Sequence, residues 1–106
     1  MMTETFDDKF FDLPAKIDKG ETFYEAEIKI TGNRYVWLDV AAHEELQLFV
    51  SANDYARGFS RPLINHAIIP RGSFLSLFNN KLISNKTLTI RTSKKATVYY
   101  ESKSAI

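Results

Sequence analysis

The chain has 106 residues, of which 44% are hydrophobic and 25% charged, and its formal net charge is +1. This length fits one domain with one core, and this composition excludes a disordered chain. The sequence contains no cysteine, which excludes disulfides and thiolate metal sites.

The two halves of the chain carry opposite charge. Residues 1–54 hold 5 Lys or Arg and 12 Asp or Glu, a net charge of −7, whereas residues 55–106 hold 9 and 1, a net charge of +8. Such a split favours an anionic partner for the basic half, head-to-tail contact between copies, or an acidic segment folded over a basic surface. The alternative is that both halves mix within one sheet and form ordinary cross-strand pairs.

Residues 1–14 are predicted to form an acidic, aromatic docking arm rather than a regular strand, ahead of a single β domain at 15–106. Three phenylalanines lie there among three aspartates, and Leu13-Pro14 closes the segment. Phenylalanines left in water form an adhesive patch, so we expect the arm to dock on the domain itself or on a partner. The residues expected to make this contact are Phe6, Asp7, Asp8, Phe10 and Phe11.

The segment Thr22–Thr31 alternates between apolar and polar residues, which predicts a half-buried strand. Gly32-Asn33 then precedes a second β-rich run, Tyr35–Ala42, and this pattern is typical of a hairpin with a two-residue loop. In that register Trp37 lies opposite Ile28 and belongs to the core. A three-residue loop would expose Trp37 instead.

The remaining chain predicts further short strands. In Leu46–Ala52 the residues Leu46, Leu48 and Val50 alternate with Gln47, Phe49 and Ser51, and this strand is expected to complete a three-stranded meander. Ser51–Gly58 resembles one short helical turn. Turns are expected at His43-Glu44-Glu45 and at Pro70-Arg71-Gly72, and a closing hairpin is expected around the turn Ser93-Lys94-Lys95. The other predicted strands are Ala67–Ile69, Ser73–Phe78 with a break at Asn79-Asn80, Thr87–Thr92 and Ala96–Glu101.

The predicted fold is therefore all-β. About six or seven short, mostly antiparallel strands separated by Gly, Pro and Asn turns are typical of a single small β-sandwich or barrel. At most one short helical turn is expected.

No pattern in the sequence indicates catalysis. The two histidines, His43 and His66, lack the spacing of a zinc site, and no serine lies in a strand–turn–helix nucleophile elbow. The four glycines form no phosphate-binding motif. We therefore expect a protein that is not an enzyme and that needs no cofactor or metal.

One segment has the composition of a binding site. Tyr55, Arg57, Phe59 and Arg61 alternate with smaller residues, so an extended backbone would project all four to one side. Arginine with aromatic residues suits a single-stranded nucleic-acid groove or a protein interface. The alternative is that Tyr55 and Phe59 cover one end of the core. Either surface could be extended by Arg71, Arg91, Lys94 and Lys95.

Two functions fit these patterns. The first is a structural or assembly module, a component of a virion or another particle, in which the arm docks on the basic surface of a neighbouring copy or of another protein. The second is a single-stranded nucleic-acid binding protein with an oligonucleotide-binding type barrel. We favour assembly, because a net charge near zero is unhelpful for non-specific polyanion binding.

No segment of the sequence resembles a membrane span or a secretory signal. Residues 1–12 are polar and acidic, and no apolar run approaches the roughly 18 residues that a span requires. We therefore expect a soluble protein, cytoplasmic or within a particle, with no membrane partner and no signal peptide for secretion.

Overall fold

The computed structural model describes residues 6–54 and 59–105, and these residues form seven β-strands and no helix. All pairings are antiparallel and belong to one hydrogen-bonded sheet, with the order β1-β7-β3-β6-β4-β5 and with β2 beside β3. The predicted all-β fold of six to seven antiparallel strands is confirmed. The strands are β1 (Phe6–Asp12), β2 (Ala15–Asp18), β3 (Glu21–Ala42), β4 (Leu46–Asp54), β5 (Phe59–Ile69), β6 (Phe74–Thr92) and β7 (Ala96–Ser104).

Two long strands, β3 with 22 residues and β6 with 19, organise the sheet. They pair along their length, from Tyr24 opposite Thr92 to Ala41 opposite Phe74, with three register shifts, of which the first lies between Ile30 and Asn33. Gly32 has a φ of 75° at this shift, a left-handed conformation that glycine adopts without steric cost. The shift therefore marks a bend that both strands share.

Short connections fold the sheet back on itself at the end opposite the bend. Three residues join β3 to β4, four join β5 to β6, and three join β6 to β7. Each connection leads from one half of the bent ribbon to the other, so the two halves must lie face to face. Layer 1 consists of β1, β7, residues 34–42 of β3 and residues 74–83 of β6, and layer 2 consists of β2, β4, β5, residues 21–30 of β3 and residues 86–92 of β6.

The core lies between the two layers. Alternate residues of each strand are buried, as the two-residue period of a strand requires. Residues from both layers belong to one continuous hydrophobic cluster. Its completely inaccessible members include Ile30, Val36, Leu38, Val40, Leu48, Ile90 and Val98.

The predicted hairpin at Gly32-Asn33 is wrong, because β3 runs through these residues as one strand. Val36, Leu38 and Val40 therefore stay on the same face as Ile28 and Ile30, and they fill the core. Trp37 falls on the opposite face and is half-buried, so its predicted place in the core is also wrong. As one continuous strand, β3 pairs with β6 from Tyr24 to Ala41. In a hairpin at Gly32-Asn33 the two halves of β3 would pair with each other instead.

The neighbours of β4 and β7 also differ from the predicted ones. β4 pairs with β5 and β6 rather than completing a meander with β3, and β7 pairs with β1 and β3 rather than closing a hairpin with β6. The turns before these strands were located correctly, at residues 43–45 and 93–95. They cross between layers, so the strands that they join cannot pair with each other.

Three local predictions need correction. Residues 6–12 form a regular strand paired with β7, rather than an irregular arm. The segment Ser51–Asp54 belongs to β4 and contains no helical turn, while residues 55–58 lie outside the described residues. The strand β6 continues through Asn79-Asn80, but its pairing with β3 shifts register here, between Phe78 opposite Leu38 and Lys81 opposite Val36. Asn80 takes a φ of 58° at this shift. Asparagine tolerates this left-handed conformation better than most residues.

Candidate binding groove at the open edge of the sandwich

A groove of about 450 Å³ opens where layer 1 ends. Residues 74–81 of β6 pair with β3 on one side, and no described strand pairs with their other side. Layer 2 continues past this edge with β4 and β5, so part of its inner face remains uncovered. The groove is this uncovered part of the sandwich interior.

The deep part of the groove is apolar. Ala52 and Leu88 of layer 2 face Phe78 and Ile83 of layer 1, and all four side chains belong to the core cluster. Two leucines lie nearer the mouth and remain accessible, Leu63 at 40% and Leu82 at 52%. The groove therefore offers apolar surface to an occupant.

The mouth of the groove carries three cations and one carboxylate, from Arg61, Lys81, Lys86 and Asp54, a net charge of +2. Lys86 Nζ lies 3.3 Å from Asp54 Oδ2 and donates to the carbonyl oxygen of Ser84 at 3.1 Å. Lys81 Nζ lies 5.8 Å from the centroid of the Phe78 ring, a weak cation–π contact. A cationic mouth over an apolar floor suits an anionic occupant that also carries apolar side chains.

The outer face of layer 1 has the opposite character. Phe10 is 76% exposed, and its ring centroid lies 6.4 Å from that of Tyr99. Tyr99 pairs across β7 and β3 with Asp39, and Trp37 pairs with Glu101 in the same way. Aromatic rings and carboxylates thus alternate on this face, which is the composition predicted for the N-terminal arm.

The structure disperses the predicted basic surface. Arg61 lines the groove, but Arg71 lies in the turn after β5, at the opposite end of that strand. Lys94 and Lys95 lie in the turn between β6 and β7, where Lys94 is 3.9 Å from Glu44. These side chains do not form one surface.

Arg91, another predicted binding residue, lies on the outer face of layer 2. Its guanidinium donates to Glu25 Oε2 at 2.8 Å and stacks 4.2 Å from the centroid of the Phe23 ring. A shallow depression of about 380 Å³ borders this pair. The guanidinium is already engaged within the domain.

Several predicted site residues fall outside the description. Tyr55 and Arg57 lie outside the described residues, as does the side chain of Phe59. The side chains of Phe6, Asp7 and Asp8 are likewise not described, although their backbone pairs with β7. Phe11 is half-buried and packs against the core.

Sequence reasoning missed Lys81 and Lys86 as site residues. Each is an isolated lysine in a strand whose partners lie far away in sequence, and no local signal distinguishes them from solvated lysines. They line the same groove as Arg61 because β6 bends between the two lysines. Arg61 lies on β5, which pairs with β4, and β4 in turn pairs with β6.

One cluster of polar groups superficially resembles catalytic machinery. The Thr97 hydroxyl donates to Asp12 Oδ1 at 2.7 Å, and His43 Nε2 lies 2.7 Å from the same hydroxyl oxygen. Because an Asp12 carboxylate can only accept, the single hydroxyl hydrogen of Thr97 is directed to Asp12, and His43 Nε2 donates to the hydroxyl oxygen. The cluster ties β1 to β7 and to the turn after β3.

Among the described residues no group of three or more His, Asp or Glu side chains is placed to hold a metal ion. The described part of the chain also contains no helix long and apolar enough to cross a membrane. No family model, curated protein sequence or solved structure matches this chain.

Proposed function

We propose that this domain is a non-catalytic assembly module whose groove binds an acidic protein segment, from another copy of the chain or from a protein partner. The observation that supports this proposal is the groove itself, where Arg61, Lys81 and Lys86 surround exposed leucine side chains. A component of a virion or another multi-copy particle, or a cytoplasmic complex, is the setting in which such a module would act.

The composition of the groove favours a protein segment over a nucleic acid. Leu63 and Leu82 offer aliphatic surface, which anchors apolar side chains but does not stack on bases. Phe78 is buried, and Lys81 lies over its ring. The three cations alone suit a polyanion, so single-stranded nucleic acid remains the second candidate.

The test is the absolute mass in solution, measured by light scattering on a sizing column at low and at high salt. We expect a multimer at low salt that dissociates at high salt, because charge complementarity is screened by ions. Arg61→Glu combined with Lys81→Glu should dissociate the multimer at low salt. Lys19→Glu combined with Lys95→Glu, which makes the same charge change at exposed turn positions away from the groove, should leave it intact.

Two outcomes would contradict self-assembly. A wild-type monomer at every salt concentration excludes it and directs the search to an external acidic protein. Binding of a single-stranded oligonucleotide that is lost in the groove variant and retained in the control variant would establish the second candidate instead.

A further inference from the structure

We infer that the occupant at this edge is β1 of a second copy, added as an antiparallel strand to the free edge of β6 at residues 74–77. The inference rests on the assembly function proposed above and names its partner. A strand added to an open sheet edge contributes main-chain hydrogen bonds, while side chains on its two faces provide specificity.

Among the described residues, layer 1 has an unpaired edge on each side, and the edge of one copy can pair with the other edge of a second copy. Its strand order is β1-β7-β3-β6, with β1 at one edge and β6 at the other. Neighbouring strands alternate in direction, so β1 and β6 run in opposite directions within one copy. A second copy placed in the same orientation therefore brings its β1 antiparallel to β6 of the first, which is a head-to-tail contact.

The pairing of β1 with β7 determines which backbone N–H groups of β1 point away from β7, toward the open edge of the sheet. Leu13 donates its N–H to Ala96 at 3.0 Å, and Asp12 lies opposite Thr97. Hydrogen bonds along an antiparallel strand alternate between its two sides. The N–H groups of Asp8 and Phe10 consequently point away from β7, toward the open edge.

The pairing of β6 with β3 likewise fixes which backbone N–H groups of β6 point outward. Ala42 donates its N–H to Ser73 at 2.9 Å, and Ala41 lies opposite Phe74. The N–H groups of Phe74 and Ser76 therefore point away from β3. A register that places Phe10 of one copy opposite Phe74 of the next also places Asp8 opposite Ser76, and both become hydrogen-bonded pairs.

The side chains favour this register. Phe10 is 76% exposed on the outer face of layer 1, at one edge, and Phe74 is 66% exposed on the same face, at the other edge. Each is an unusually exposed ring within a single copy. Placed opposite one another they form a cross-strand aromatic pair, which removes apolar surface from water at both edges.

The charges are complementary as well. The strand β1, with the sequence FDDKFFD, carries three aspartates and one lysine, a net charge of −2. The groove beside the free edge of β6 carries +2 on Arg61, Lys81, Lys86 and Asp54. A strand added to β6 extends layer 1 over this groove, so it brings the acidic strand beside the cationic mouth.

Disulfide trapping tests the register directly, since the chain has no cysteine of its own. Phe10→Cys and Phe74→Cys variants are prepared separately, mixed and oxidised, with Ile17→Cys, at a 75% exposed site on β2, replacing Phe10→Cys as the control. We expect a disulfide dimer from the first mixture and none from the control mixture. Equal yields from the two mixtures would overturn the inference.

A proline substitution tests the backbone contact. Ser76→Pro removes the outward N–H while leaving the hydrogen bonds to β3, and Ser76→Ala is the matched control that keeps the N–H. We expect Ser76→Pro to be monomeric and Ser76→Ala to assemble like the wild type. If Ser76→Pro still assembles while the groove variant does not, the strand pairing is wrong and the proposed function stands. A monomeric wild type would overturn the strand pairing between copies and leave an external acidic protein as the occupant of the groove.

Discussion

The side chain of Asn85 is hydrogen-bonded to the backbone of Gly32 across the bend in the sheet, where Asn85 Oδ1 accepts from the Gly32 N–H at 2.8 Å. Both residues have left-handed backbone conformations, with φ of 49° and 75°. The bond joins β3 and β6 at the place where they leave one layer for the other. These two residues therefore hold the geometry that stacks the two layers.

Substitution at this bend should destabilise the fold. Gly32→Ala places a Cβ on a left-handed residue, which costs about 1–2 kcal/mol. Asn85→Ala should cost a similar amount, about 1–3 kcal/mol, because it also leaves the Gly32 N–H without this acceptor. Asn79→Ala, at an exposed position of β6, is the control and should change stability by about 0.5 kcal/mol or less. The free energy of unfolding in urea measures all three, and a Gly32→Ala variant as stable as the control would refute this account of the bend.

The position of Leu38 in the core predicts a large cost for its truncation. Leu38 is completely buried, whereas Leu82 on the mouth of the groove is half exposed. Leu38→Ala should lose about 2–5 kcal/mol of unfolding free energy, because it removes buried methyl groups and leaves a cavity. Leu82→Ala makes the same chemical change and should lose about 1 kcal/mol or less. Similar losses for the two variants would be inconsistent with the described core.

Deletion of residues 1–13 should destabilise the domain as well as affect assembly. It removes β1 from the edge of layer 1 and removes Leu13, which is buried and donates to Ala96. Loss of the leucine side chain alone costs about 2–5 kcal/mol. Deleting residues 1–5 leaves the whole of β1 and serves as the control. Thermal unfolding distinguishes the two, and an unchanged melting temperature after the longer deletion would show that β1 contributes nothing to the fold.

Arg91 should contribute to local stability and not to binding. Its guanidinium is held by Glu25 and by the Phe23 ring, yet about half of the arginine side chain remains exposed. Arg91→Ala should therefore cost about 1 kcal/mol or less. The variant should assemble like the wild type in the light-scattering experiment. Loss of the multimer in Arg91→Ala, with the fold intact, would move the interface to the outer face of layer 2.

Local patterns predicted many features of individual strands. Alternation identified Ile28 and Ile30, and likewise Leu46, Leu48 and Val50, as residues that face the core. The turns at residues 43–45, 70–72 and 93–95 were also recognised from their composition. These features depend on backbone preference and on the two-residue period of a strand. Both are set by residues that are close together in the sequence.

The candidate site was largely beyond local prediction. The sequence of its own segment predicts Arg61 as a site residue, but Lys81 and Lys86 come from a distant strand. Arg71 and Arg91, which are predicted on the same surface as Arg61, lie elsewhere. A groove depends on which surface remains uncovered after the layers stack. That property belongs to the assembled sheet and to no segment of it.

By itself the sequence determined that the chain is all-β, which residues of several strands face the core, and where most of the turns lie. These properties follow from short-range alternation and turn chemistry. Tertiary structure decided that β3 continues through Gly32 instead of turning, that Trp37 lies outside the core and that β7 pairs with β1 and β3. The physical reason is that strand pairing joins residues far apart in sequence. Each strand pairs with the neighbour that satisfies the most backbone hydrogen bonds and buries the most apolar surface. That neighbour depends on the arrangement of all the strands together.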